Sequence, residues 1–184
     1  MADFPVVSVP PLFLHTWTRW SGGLTMVYQG SITTIVSTTW PSANLAKYIP
    51  MFLPFYYNVR RVFWVNGSSV TTTNRDFGIY TASGTRIYST GSIAASVASV
   101  PQYVTPSTDL WLSPGNYYFA LSTSTVTANR GPEGATNTTL ARERLCGFLQ
   151  EVSALPLPAT MTPAVVSSLT FPLCGVTSTT TGFA

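Results

Sequence analysis

One histidine, His15, and six carboxylates, Asp3, Asp76, Asp109, Glu133, Glu143 and Glu151, make up the conventional acid–base groups of this chain. A Ser-His-Asp set would have to be built on His15, which lies among prolines and aromatics near the N-terminus. No Gly-x-Ser-x-Gly elbow presents a serine. His15 therefore reads as a packing or hydrogen-bonding residue. A glycoside hydrolase needs two carboxyl groups facing a cleft. Asp76 and Asp109 come nearest, but each adjoins a turn, where Asp is favoured for bonding its own backbone. With backbone carbonyls these two offer at most a calcium site that nothing in the sequence requires. Cys146 and Cys174 lack the spacing of a zinc or redox motif and read either as one disulfide or as two buried thiols. No phosphate-cradling or dinucleotide fingerprint occurs. The expectation is a protein without catalytic residues, metal or cofactor.

What remains is recognition. Tyr, Trp and Arg are the residues that dominate protein interfaces, and aromatic rings on a β-sandwich also stack on sugars. Of the five tryptophans, Trp17, Trp20, Trp40, Trp64 and Trp111, each is weighed between core and contact. Trp64 and Trp111 fall inside expected strands, which favours core for both. Trp17 and Trp20 fall in an N-terminal stretch and are the better contact residues. The expected interface set is Phe4, Phe13, Trp17, Trp20, Arg130 and Phe183.

The elements that must position these residues are strands. The first stretch, to about Trp20, holds Phe4, Phe13, Trp17 and Trp20 with Pro5, Pro10 and Pro11. Prolines forbid a helix there, and an arm lying across its own domain or a neighbour fits the apolar content. After Gly22-Gly23, strands are expected at 24–28 and 32–40. The apolar run Tyr48 to Tyr57 contains Pro50 and Pro54, which restricts it to an edge or an irregular segment. Val59 to Val65 reads as a core strand with neither face cleanly polar, so both faces should be covered. Asn66-Gly67 is a hairpin signal, although the loop should run on through Thr71-Thr72-Thr73.

Phe77–Thr81 and Thr85–Thr90 form a hairpin around Ala82-Ser83-Gly84. Asp109–Leu112 is a short strand, Ser113-Pro114-Gly115-Asn116 a β-turn, and Tyr117–Thr123 a central strand. Residues 125–139 are a polar, glycine-containing loop of the length that often serves binding. Leu140 to Val152 is either the one helix or a loop plus a strand. Leu155-Pro156-Leu157-Pro158 marks an extended crossing, 165–173 a last strand, and 176–184 a Thr-rich tail. The turns recur at the interval of a sandwich or barrel. The reading is an all-β, antiparallel β-sandwich, jelly-roll-like, with extended N- and C-terminal arms and at most one short helix. Its parts are an N-terminal arm (1–23), a sandwich domain (24–173, core 59–123) and a C-terminal tail (174–184).

Composition agrees. Charged residues are 8% of the 184 positions and aromatics 13%, against about 25% charged in ordinary soluble domains. Ser and Thr fill about a quarter of the chain. Freely diffusing proteins use charge to stay soluble. An uncharged, hydroxyl-rich surface therefore suits a protein covered by neighbours or working outside a cell. Eight arginines and the single lysine, Lys47, produce the net charge of +3. They are scattered, with Arg60-Arg61 the tightest pair, rather than gathered into a nucleic-acid patch. No apolar run has the length of a membrane-spanning helix. Residues 1–11 lack a basic run and carry three prolines, so no signal peptide is expected. Asn66-Gly67-Ser68 and Asn137-Thr138-Thr139 match a glycosylation sequon but read more simply as turns.

Three segments carry a resemblance: Arg61-Val62-Phe63-Trp64-Val65-Asn66-Gly67, Phe77-Gly78-Ile79-Tyr80-Thr81-Ala82-Ser83-Gly84-Thr85-Arg86, and Leu112-Ser113-Pro114-Gly115-Asn116-Tyr117-Tyr118-Phe119-Ala120-Leu121. They resemble a module of tailed-bacteriophage structural proteins, over about a third of the chain. In that pattern a G-I-Y-x-x-x-G turn joins two strands and L-x-P-G-x-Y-Y-x-A enters the next. The resemblance implies a non-enzymatic virion protein, released by lysis. Within that class the first reading is a capsid decoration (cement) protein that binds the major capsid protein and stabilises the shell. The alternative is a receptor- or glycan-binding module of a tail or fibre. Expected partners are other virion proteins and copies of the same chain in a homo-oligomer, a trimer being one form. Neither nucleic acid nor membrane is expected.

Overall fold

Along 45–53 the side chains Leu45, Lys47, Ile49, Met51 and Leu53 are all buried, the two-residue period of a strand facing a core. Such patterns recur through the computed structural model, which describes residues 15–20, 23–28, 36–70, 72–126, 128–131, 143–144, 147–168, 170 and 172–178. The strands among these residues begin with β1 (His15–Trp20), β2 (Gly23–Tyr28), β3 (Val36–Thr39), β4 (Leu45–Leu53), β5 (Tyr57–Val59) and β6 (Arg61–Val65). Next come β7 (Asn74–Thr81), β8 (Arg86–Ser89), β9 (Ile93–Ala94), β10 (Pro101–Val104) and β11 (Leu110–Leu112). The last are β12 (Gly115–Thr123), β13 (Ala128–Gly131), β14 (Leu149–Glu151), β15 (Ala164–Val165) and β16 (Cys174–Thr177).

One sheet has the order β1-β2-β16-β6-β10; the other runs β15-β14-β4-β12-β7-β8, with β9 also on β7. Ribbons β5–β11 and β3–β13 complete the set, and every pairing is antiparallel. The larger sheet contributes Leu45, Ile49, Met51, Leu53, Phe77, Ile79, Phe119 and Leu121 to a common core. The smaller contributes Val62, Trp64, Cys174 and Val176 to the same core. Two antiparallel sheets sharing one apolar interior are a β-sandwich, as the strand pattern predicts.

The larger sheet is covered on its second face as well. Ala46, Tyr48, Tyr80 and Ala120 form a separate buried cluster with Ala154 and Leu157. The predicted crossing at Leu155–Pro158 is thus a strap laid over the outside of the sheet. β6 likewise buries both faces: Trp64 lies in the core, while Phe63, 3% exposed, packs beside Tyr103 on the other side.

Several expectations are corrected. Unbroken alternation along 59–65 would put Val59 on the face of Arg61 and Phe63, but it shares the core with Val62 and Trp64, because the strand breaks at Arg60 and its alternation changes phase. Asn66-Gly67 is no hairpin turn: β6 and β7 belong to opposite sheets. Asn66 is buried because its amide works in place, accepting from Trp64 Nε1 and donating to Val97 O and Gln102 Oε1. The first part of the run, Tyr48–Leu53 with Pro50, is neither edge nor irregular but belongs to β4, between β14 and β12, whereas Pro54–Tyr56 is an irregular turn, as expected. The pairing of β4 with β14 stops at Tyr48, so beside Pro50 no ladder bond is demanded on that side. Part of the helix alternative, Leu149–Glu151, is strand. His15–Trp20 of the expected arm is a strand paired with β2. The first residues of the expected tail, Cys174–Thr177, lie between β2 and β6 in the sheet. The core accordingly extends beyond 59–123 to Trp40, β4, Phe148, Val166 and β16.

Candidate interaction surface

Most described carboxylates have their oxygens committed inside the protein. Asp76 is fully buried on β7 and accepts from Ser89 Oγ, Thr90 Oγ1 and the Leu157 backbone N–H. Glu151 accepts from Tyr48 Oη at 2.7 Å and from both the N–H and hydroxyl of Thr162. Glu143 accepts from Lys47 Nζ at 2.9 Å and from the Thr170 N–H at 3.0 Å. Asp109 alone among these four is exposed, bridging to Arg60 at 3.2 Å. The pair Asp76 and Asp109 is therefore split between the strap and the surface. Among the described residues no three His, Cys, Asp or Glu side chains gather as a metal site would need.

Burial shifts the groups inside. It lowers Lys47 and raises Glu143, each opposed by the charge and hydrogen bond of its partner. It lowers Arg75 to about 10 and raises Cys174 to about 12. Tyr48 and Tyr80 are raised chiefly by burial as well, their rings 5.3 Å apart edge to face. With its thiol protonated and 3% exposed, Cys174 should resist iodoacetamide at neutral pH. Peptide mapping after labelling should find it modified only when urea is present. Cys146 lies outside the described residues, and with it the question of a pairing.

The glycines of the G-I-Y-x-x-x-G turn are explained by the strap. A Cβ on Gly78 would stand 2.7 Å from Leu157 Cδ1, and one on Gly84, whose φ is +87°, would stand 3.0 Å from Met161 Cγ. Both positions let the strap approach the sheet. The strap is then tied down: Tyr80 Oη donates to Pro158 O, Arg86 Nη1 to Leu157 O and Met161 N–H to Gly84 O. Gly78→Ala should lower stability by about 1–3 kcal/mol through overpacking. In urea titrations, combining it with Leu157→Ala should cost less than the sum of the two single changes, because the methyl and Cδ1 compete for one space.

With these groups consumed, the surface carries little charge. Arg60, Asp109 and Arg144 are the exposed charged side chains among the residues whose burial is described. What the described surface does carry includes large apolar side chains, four of them aromatic. β5 and β11 pair with Trp111 opposite Asn58 and Leu112 opposite Tyr57. Tyr57, Val59 and Leu112 are buried in the core, so the intervening Trp111 points outward and is 60% exposed. Pro54 forces the chain out of β4, and the turn that follows presents Phe55 and Tyr56, the latter 70% exposed. Phe52 is exposed one residue before β4 ends. The exposed rings thus lie on β4, on the turn that follows it and on β11, and the Arg60–Asp109 pair flanks the β5–β11 ribbon. The side-chain oxygen of Asn58, opposite Trp111, is buried without a hydrogen-bond partner.

This corrects the reading of Trp111, assigned to the core because it lies in a strand. A three-residue strand of a peripheral ribbon has one face open. Trp64 and Trp40 are buried, the latter donating from Nε1 to Leu45 O. Of the expected interface set, Phe4, Phe13 and Phe183 lie outside the described residues. Trp17 and Trp20 are on β1 and Arg130 on β13, and their side chains lie outside the described part. The structure thus brings forward Phe52, Phe55 and Tyr56, which sequence reasoning did not single out, and Trp111, which it weighed and placed in the core. The usable signal was Pro54 beside three consecutive aromatics, Phe55-Tyr56-Tyr57, more than one short turn can bury. No protein-family model, curated protein or solved structure matches this chain.

Proposed function

We propose that this chain is a non-enzymatic structural protein of a tailed-phage-type particle, acting as a capsid decoration subunit whose exposed aromatic rings seat on neighbouring shell proteins. The observation that carries this reading is the exposure of Phe52, Phe55, Tyr56 and Trp111 on a described surface that carries few charges. Aromatic rings are rigid, with few rotatable bonds to fix on binding, and Trp and Tyr are enriched among interface hot spots. Scarce surface charge suits a protein held among neighbours. The resemblance over residues 61–121 supplies the particle. The major capsid protein and further copies of this chain are the partners proposed.

The same rings support a second reading, because exposed Trp111 and Tyr56 are suited to stacking on the apolar faces of sugars. One experiment separates the two. Purified protein is added to shells lacking it and, separately, to host cells and a glycan array. Saturable uptake by the shells, weakened at least about 30-fold by Trp111→Ala or Tyr56→Ala, is expected, with the melting temperature of either variant unchanged. No uptake by shells, together with glycan binding lost in the same variants, overturns decoration in favour of the receptor module.

A further inference from the structure

We propose that Lys47 and Glu143 condense with each other, forming an amide between Nζ and Cδ that staples β4 covalently to the 143–148 segment inside the sandwich. This is a modification site and does not depend on the functional reading above. Lys47 is the one lysine beside eight arginines; like Arg75 it is 0% exposed, and it lies against a carboxyl that is itself 1% exposed. For a buried ion pair alone, arginine is the better residue, with a planar fork and a charge that burial hardly removes. An amine that must act as a nucleophile has to be lysine.

The hydrogen bonds assign a separate task to each oxygen. Nζ contacts Oε2 at 2.9 Å. Oε1 accepts the Thr170 N–H at 3.0 Å, a backbone donor placed where negative charge would develop on the carbonyl oxygen. Nζ also donates to Ser168 O, which orients the amine. Gln150, paired with Lys47 across β14 and β4, is engaged with Ser167 and Ser168 and steadies that carbonyl.

Proton transfer within the Lys47–Glu143 hydrogen bond yields a neutral amine and a neutral acid, the pair that burial favours. The amine lone pair attacks Cδ, the C–N bond forms, and the Oε1 oxyanion is held by the Thr170 N–H. A second amine proton passes to the Oε2 hydroxyl, the Oε1 oxyanion re-forms the carbonyl as the Cδ–Oε2 bond breaks, and Oε2 leaves as water. No oxidant or activating cofactor enters the balance. Proximity of this kind is what makes an otherwise slow bimolecular condensation intramolecular. The product removes both buried charges and closes a loop of nearly a hundred residues, a constraint on the unfolded chain like that of a disulfide.

The test is mass spectrometry of the full-length protein after denaturation and proteolysis. The expected result is a branched peptide joining the Lys47 and Glu143 fragments, with the protein lighter by one water than its sequence requires. Lys47→Arg should restore the full sequence mass. Glu143→Gln should give the same branched peptide with loss of ammonia instead of water. Wild-type protein in which both linear peptides persist after prolonged incubation overturns the proposal. So does a water loss that Lys47→Arg retains. The branched-peptide readout is made on the wild-type chain and does not depend on either variant folding.

Discussion

Replacing Asp76 by alanine is expected to lower the stability of the sandwich by about 3–5 kcal/mol, since hydrogen bonds to charged groups contribute roughly 1.5–3 kcal/mol each and do not add fully. Asp76 accepts from two hydroxyls on the β8 side, Ser89 and Thr90, and from the Leu157 N–H of the strap. It is therefore the point at which β7, β8 and the strap are joined. Alanine leaves the Leu157 N–H buried without a partner and opens a small void at the same place. Domains of this size are stable by only about 5–15 kcal/mol, so the loss should be visible in any urea titration. Asp76→Asn, which keeps one acceptor oxygen, should lose about half as much. Limited proteolysis should show new cleavage within 154–162 in the alanine variant before other sites open. A loss below about 1 kcal/mol would mean that the strap is held chiefly by Tyr80 and Arg86.

The second large effect is expected at high pH. Tyr48 and Tyr80 are fully buried and raised above the usual tyrosine value of 10.0 by burial, and Cys174 is raised from 9.0 to about 12. A group that the fold keeps protonated above its ordinary pKa contributes stability that is complete below that ordinary value. It is lost as the pH climbs from there toward the folded value. Arg75 opposes them: lowered from 12.5 to about 10, it sheds its proton first in the folded state, so its contribution recovers as the pH rises between those values. The raised groups outnumber Arg75, so stability should fall by a few kcal/mol in all between roughly pH 10 and 12. Tyr88, also raised by burial, acts in the same direction. Urea midpoints taken at intervals across this range should fall steeply, while Tyr48→Phe should show a visibly shallower slope. A flat profile above pH 10 would show that these hydroxyls ionise without unfolding the sheet.

These effects bear on the proposed role through one physical feature. Among the described residues, Asp76, Glu151, Lys47 and Glu143 are engaged inside or at the strap, while four aromatic rings stand exposed. A particle component gains from this arrangement, because internal ties resist mechanical opening while an uncharged surface packs against neighbours without desolvating ions.

Part of this was legible in the residues themselves. Period-two burial, β-branched and aromatic content and regularly spaced turns specify strands locally, and the Phe77–Arg86 hairpin, the β12 strand and the Leu155–Pro158 crossing follow from near-neighbour chemistry alone. A core role for Trp64 and the two-sided burial of β6 also followed, since neither face of that strand offers water a polar row. Strand order was not legible, because it depends on which distant segments meet. That Cys174–Thr177 enters the sheet between β2 and β6, and that β4 tolerates Pro50, are decided by where β14 and β16 end. The same holds for the sites. Asp76 by sequence is a turn aspartate, and Lys47 only the one lysine among scattered basic residues; burial and a partner 96 positions away for Lys47 give them their roles. Trp111 shows the converse: strand membership says that a residue alternates, but only the packed structure decides which side of the alternation is covered.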